Sequence, residues 1–132
     1  MLWNSAVVAI SEPSDDPSPA LAILSPLTSA SGGNHLIGPL NTCHQILEPF
    51  VGDRVVALFG DGDLTPTEQV LTKVAQMKAA NIRFVTRGLG ASAARVFGGI
   101  SDEDAASARV ERVEDLAHGI AAMADVLKDR RL

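Results

Sequence analysis

The sequence predicts an α/β fold with a mostly parallel sheet, helices on both faces and an antiparallel strand pair at the amino end. Three observations carry this. From Gly32 onward the hydrophobic pattern alternates between short apolar runs and stripes of helical period. That order, helix–strand–helix–strand–helix–strand–helix, is the one that builds parallel sheets from crossover units. Upstream, Ser5–Ile10 (SAVVAI) and Ala20–Leu24 (ALAIL) read as two short strands joined by the proline-rich stretch Ser11–Pro19. A link that short favours an antiparallel pair, because a parallel crossover needs about a dozen residues.

The first predicted helix follows the turn Gly32-Gly33-Asn34-His35. Its stripe is Leu36, Leu40, Cys43, Leu47 and Phe50, and Pro49 and Gly52 end it. Cys43 lies on that stripe and reads as a core thiol rather than a nucleophile. Next comes Arg54–Phe59, whose apolar run Val55–Leu58 reads as a buried strand. The acidic turn Asp61-Gly62-Asp63 leads from it into a helix over Thr65–Ala80. Thr65 is the expected N-cap, Pro66 the first helical residue, and Glu68 stands three residues after the cap. That helix is expected to bury Val70, Leu71, Val74 and Met77, with Asn81 closing it.

Ile82–Thr86 is the next strand. The turn Arg87-Gly-Leu-Gly leads to a short helix over Ala91–Phe97, ended by Gly98-Gly99. Ser107–Val113 is the last strand. The final helix carries Leu116, Ile120, Met123 and Leu127, with Lys128, Arg130 and Arg131 at the negative end of its dipole.

Composition narrows the function. The chain has 132 residues, enough for one domain with its own core. A net charge of −5 and the lack of a basic stripe argue against general nucleic-acid binding. One cysteine allows neither an internal disulfide nor a thiolate zinc site, and fits a reducing compartment. The amino terminus has no basic leader, and its apolar run is too short for a signal peptide or a membrane span. The expected setting is the cytoplasm.

Chemistry concentrates at the acidic turn. Asp61 and Asp63 follow a buried strand and precede a helix, where α/β proteins place ligands. Two readings stand. Paired carboxylates there suit a hard divalent cation such as Mg²⁺ or Ca²⁺. Equally, Asp-Gly-Asp makes a turn, with Asp63 complementing a helix amino terminus. A second motif, Gly88-Leu-Gly90-Ala-Ser-Ala93, matches G-x-G-x-x-A, with Glu111 about 20 residues on, as in dinucleotide sites. It follows a late strand rather than the first one, so a tight turn and close helix packing compete with nucleotide binding. His35, His44 and His118 show no zinc-hydrolase spacing, and no serine lies in a G-x-S-x-G elbow. His35 is placed to face the same sheet edge as Asp61.

These residues together resemble a von Willebrand factor A (VWA) domain. In that family a Gly-Gly-Thr turn opens a helix, matched here by Gly32-Gly33-Asn34. A buried strand ends in Asp-Gly, matched by VVALFGDG with Asp61. NIRFVTRGLG and VERVEDL match the following strand and the approach to the last helix. SAVVAIS and ALAILSPLT resemble the family's antiparallel second and third strands. The resemblance implies a Rossmann-like, three-layer αβα domain over residues 1–132. It also implies a metal-ion-dependent adhesion site at the carboxyl edge of the sheet. Family members are mostly binding modules rather than enzymes, and intracellular bacterial ones often act with AAA-type ATPases of the MoxR class.

The departures shape the expectation. The family's first strand, ending in Asp-x-Ser-x-Ser, has no counterpart. Asn34 replaces the ligand threonine, and Asp61 alone is intact. The resemblance therefore implies no cofactor or weakly bound Mg²⁺, held by Asp61 and Asn34. It implies a partner-binding edge at Asn34, His35, Asp61 and Asp63, and no catalytic residues. The missing strand leaves three outcomes open: a fragment, a strand received from a partner protein or a second copy, or a sheet closed without it. The alternative function is a nucleotide-binding α/β protein or enzyme using Gly88–Ala93.

Overall fold

The computed structural model describes residues 1–26, 33, 35–60, 67–103, 109–110, 112–115, 117–119 and 121–122. These form a mixed α/β structure with two small sheets. Strand β1 (Leu2–Trp3) pairs antiparallel with β2 (Val7–Ala9). Asn4 closes the hairpin: its N–H donates to Ala6 O at 2.9 Å, and its Oδ1 accepts from Ala6 N at 3.2 Å. Helix α1 (Ser18–Leu24) and helix α2 (Ile37–Leu47) follow. Then come β3 (Arg54–Gly60), α3 (Glu68–Ala79), β4 (Ile82–Leu89), α4 (Ala91–Gly98) and β5 (Arg109–Val110). The second sheet has the order β3-β4-β5, all parallel.

The predicted strand at Ala20–Leu24 is instead helix α1. Five apolar residues cannot distinguish strand from helix by period, so local chemistry decides. Asp16 Oδ1 accepts from Ser18 N at 2.9 Å and from Ser18 Oγ at 2.7 Å. Pro17 and Pro19 hold helix-compatible φ at the start, and alanine and leucine propagate the helix. The predicted partner strand shortens to β2, and its antiparallel mate is β1.

From α2 onward the expected order holds. β3 pairs residue for residue with β4, from Arg54↔Ile82 through Val56↔Phe84 to Gly60↔Gly88. Even-numbered residues of both strands share one face. Val56, Leu58, Ile82 and Phe84 form one core with Leu36 and Leu40 of α2, Val70, Val74 and Met77 of α3, Phe97 of α4, and Ile100. Cys43, Leu47 and Trp3 pack against this core. On the opposite face, Arg87 Nε donates to the carbonyl of Gly119 at 3.2 Å. Residues 117–119 and 121–122 are helical. The last-helix residues Leu116, Ile120, Met123 and Leu127 lie outside the described residues.

Several boundaries move, each for a local reason. Thr67, not Thr65, caps α3: its backbone is extended and its Oγ1 accepts from Val70 N at 3.3 Å. Thr65 and Pro66 lie outside the described residues, and Glu68 opens the helix. Leu71 is 45% exposed, because the buried stripe of α3 is Val70, Val74 and Met77. α2 stops at Leu47 before Pro49, which leaves Phe50 49% exposed. Asn81 takes the left-handed φ of 59° just past α3, as its closing role requires. Val113, read as the end of the last strand, belongs to the 3₁₀ turn Val113–Asp115.

The largest shift is at β4, which runs on through Arg87, Gly88 and Leu89 where a turn is expected. Only Gly90 turns, with φ of 85°. Gly88 stays in the strand because α4 crosses it at backbone contact. A Cβ there would lie 2.5 Å from Ala94 N and 2.6 Å from Ala93 C. Gly88→Ala is therefore expected to cost about 1–3 kcal/mol in urea unfolding, the range for forcing bulk into a packed contact. Gly38→Ala, in a helix with nothing within 4 Å, is expected to stabilise by about 0.4–1 kcal/mol. Equal effects at the two glycines would contradict this packing.

Candidate functional site

The paired carboxyl ends of β3 and β4 define the edge at which a ligand site is expected. Gly60 stands opposite Gly88, so both strands end level. Asp61 and Asp63, which follow β3, lie outside the described residues, as does Asn34. Of the expected partner-binding residues, His35 is described. It is exposed, and its N–H donates to Asn4 O at 3.0 Å. Gly33 N–H donates to Ser5 Oγ at 2.9 Å. The glycine turn is thus held against the β1–β2 hairpin, a contact no sequence spacing announces. Among the described residues, no three His, Cys, Asp or Glu side chains cluster as a metal would need.

The glycine fingerprint has structural work. Gly88 admits the backbone of α4. Gly90 N–H donates to Val110 O at 2.9 Å, and Gly90 O accepts from Ala94 N at 3.1 Å. The turn is stitched to β5 and α4 through the backbone groups of Gly90. Glu111 lies outside the described residues. His44 sits in the last turn of α2, and His118 is exposed on the carboxyl-terminal helical residues.

The structure reveals a polar centre that no motif in the sequence announces. Arg87 is 4% exposed and Glu103 is 8% exposed at their side chains, and they pair at 2.5 Å. Arg87 Nη1 also donates to Thr86 O at 2.8 Å. Nearby, Asp102 Oδ2 accepts from Phe84 N at 2.7 Å, and Asp102 N–H donates to Phe84 O at 2.8 Å. Lys78 Nζ pairs with Asp102 Oδ1 at 2.8 Å. The available signal was parity: Arg87 shares its strand face with Val85, so a buried face carries a charge that needs a partner.

Both Arg87 and Glu103 are sealed and already engaged. Their chemistry is that of a structural ion pair. At the surface, Arg83 binds Asp53 and holds its carboxyl below the usual range. Cys43 is half-buried, and desolvation pushes its thiol above the ordinary value. Compared with protein-family models, curated proteins and solved structures, the chain matches none of them.

Two outcomes follow. Glu103→Ala strands a buried guanidinium and is expected to cost about 3–5 kcal/mol in urea unfolding. The double replacement Arg87→Met, Glu103→Leu should recover most of that loss. Cys43 should react with iodoacetamide more slowly in the folded protein than in urea, because thiolate is the reacting form. Equal rates in the two states would place the thiol outside the core.

Proposed function

We propose that the chain is a non-enzymatic protein-interaction module of VWA-like, three-layer αβα architecture. Its binding surface is the carboxyl edge of the β3–β4 pair. One observation carries the reading: β3 and β4 run parallel in unbroken register to Gly60↔Gly88, so the segment bearing Asp61 and Asp63 leaves the sheet at its ligand-facing edge. The sequential order β3-α3-β4-α4-β5 over residues 54–110 is the order that the VWA resemblance expects there. Helix α1 stands where that resemblance expected a third strand, so the amino-terminal part lends it no support. Asp61 and Asn34 hold at most a weak Mg²⁺. With Asp63 and His35 they present polar groups to a partner protein, such as an AAA-type ATPase of the MoxR class or a second copy.

Metal-stripped protein should show little change in melting temperature on addition of Mg²⁺, Mn²⁺ or Ca²⁺. A site filled at a hundredfold excess over its Kd would add about 2.7 kcal/mol of stability, which a melt resolves easily. A shift of that size, lost in Asp61→Ala, would replace the degenerate site by a working adhesion site. Stabilisation by a nucleotide or dinucleotide, lost in Gly90→Val, would overturn the reading in favour of a nucleotide binder.

A further inference from the structure

We propose that residues 101–103 form a strap that takes the place of a strand on the outer edge of β4, with Asp102 as its clasp, and that this strap keeps the edge from accepting a strand of another chain. β5 covers only the end of β4, pairing Gly88 with Arg109 and Leu89 with Val110. Ahead of that point, at Phe84, the outward backbone groups are met by one residue of the strap. Asp102 N–H donates to Phe84 O at 2.8 Å, as the amide of a neighbouring strand would. Phe84 N–H donates to Asp102 Oδ2 at 2.7 Å, so a side-chain carboxylate stands where a strand would offer its carbonyl.

The strap is fixed at both ends and at its clasp. Ile100, which is buried, and Ser101 donate their N–H groups to Phe97 O at 3.0 and 2.8 Å, and this ties the strap to the last turn of α4. Glu103 N–H donates to Ser101 Oγ at 3.2 Å, and the Glu103 carboxylate pairs with the buried Arg87. Asp102 Oδ1 holds Lys78 Nζ of α3 at 2.8 Å, and the same ammonium lies 6.0 Å from the centre of the Phe84 ring. One carboxylate oxygen therefore serves the strand and the other a lysine. An ionised acceptor also makes a shorter and stronger bond to an amide than a strand carbonyl does.

Behind the strap lies a stretch of β4 with the composition of a pairing template. Ile82, Phe84, Val85 and Thr86 are all buried, and all are strong strand formers. A strand of this kind with open N–H and C=O groups is what another chain adds to. A further strand laid on it would only move the open ladder outward by one place. A carboxylate has no ladder behind it, so Asp102 satisfies the Phe84 amide and ends the pairing there. Opening the edge requires the loss of that acceptor, whereas loss of the Lys78 partner alone leaves the acceptor in place.

Sedimentation equilibrium of the full chain tests this, because in pure protein the strand on offer is that of another copy. Asp102→Ala removes the acceptor and should at least double the mass over that of the wild type at the same concentration, with far-ultraviolet circular dichroism retained. Asp102→Asn loses the charge but keeps an oxygen for Phe84 N–H, and Lys78→Met loses the ion pair but keeps the carboxylate. Both should hold the wild-type mass. A folded Asp102→Ala of wild-type mass overturns the proposal. So does association of Asp102→Asn or Lys78→Met to the mass of Asp102→Ala, which would trace the effect to the ion pair. Where Asp102→Ala does not fold, amide exchange in the wild type decides. Phe84 N–H should then exchange as slowly as Val85 N–H, which faces β3 in register with Ala57. Exchange of Phe84 at the rate of an open amide overturns the strap. None of these readouts involves the carboxyl edge of the sheet, so failure here leaves that reading standing.

Discussion

The buried pair of Arg87 and Glu103 is the constraint on which the second half of the fold depends. A guanidinium taken out of water is costly unless its donors all find acceptors. Arg87 finds them in three places: its neighbour Thr86, Glu103 beyond α4, and Gly119 in the carboxyl-terminal helical residues. No two of these segments are adjacent in the order of elements. Docking them together is what lets β4 carry a charge on a covered face. Such a pair contributes little net stability over an apolar one, but it rejects arrangements that leave Arg87 unpaired.

A chain of short contacts brings Glu103 into place. Gly88 lets α4 lie on β4 at backbone distance. That sets Phe97, whose carbonyl accepts from Thr86 Oγ1 at 3.4 Å and from Ser101 N at 2.8 Å. Asp102 then lies beside Phe84 and takes both of its outward backbone groups. Glu103, the next residue, reaches Arg87 on the face away from α4. The glycine that sequence pattern matching assigns to a phosphate turn is therefore the first step in seating the ion pair.

The alternation from Leu36 to Phe97 was legible because each element has its own period and clear punctuation. Val55–Leu58 is an unbroken apolar run that opens on two β-branched residues, Val70, Val74 and Met77 fall on one helical stripe, and Asn81 and Gly99 mark ends. Legibility failed where a residue's role is set by something distant. Gly88 looks like a turn residue because glycine weakens strands, yet here it answers a helix backbone pressed against it. Glu103 sits in a polar stretch that reads as solvated loop, 16 residues from its partner. Ala20–Leu24 is too short for period to speak, and Asp16 with two prolines turned it to helix. At the candidate site, the contact of His35 with the β1–β2 hairpin spans about thirty residues and leaves no trace in spacing. Asp61, Asp63 and Asn34 are legible only as sequence.

The two edges of the β3–β4 pair are treated differently. On the outer edge of β4, Asp102 occupies the backbone of Phe84, Arg87 takes Thr86 O, and β5 covers Gly88 to Gly90. That edge is closed residue by residue with polar side chains and a strand. On β3, no described residue does the same, although its outward groups belong to Val55, Ala57 and Phe59. Buried backbone groups in native proteins are almost always paired, and apolar edge strands are rarely left bare. The charged side chains flanking the apolar run are engaged within the molecule: Asp53 pairs with Arg83 at the surface, and Arg54 donates to Ala80 O. Among the described residues, the outer edge of β4 is closed from within, whereas the apolar run Val55–Phe59 of β3 pairs with β4 alone.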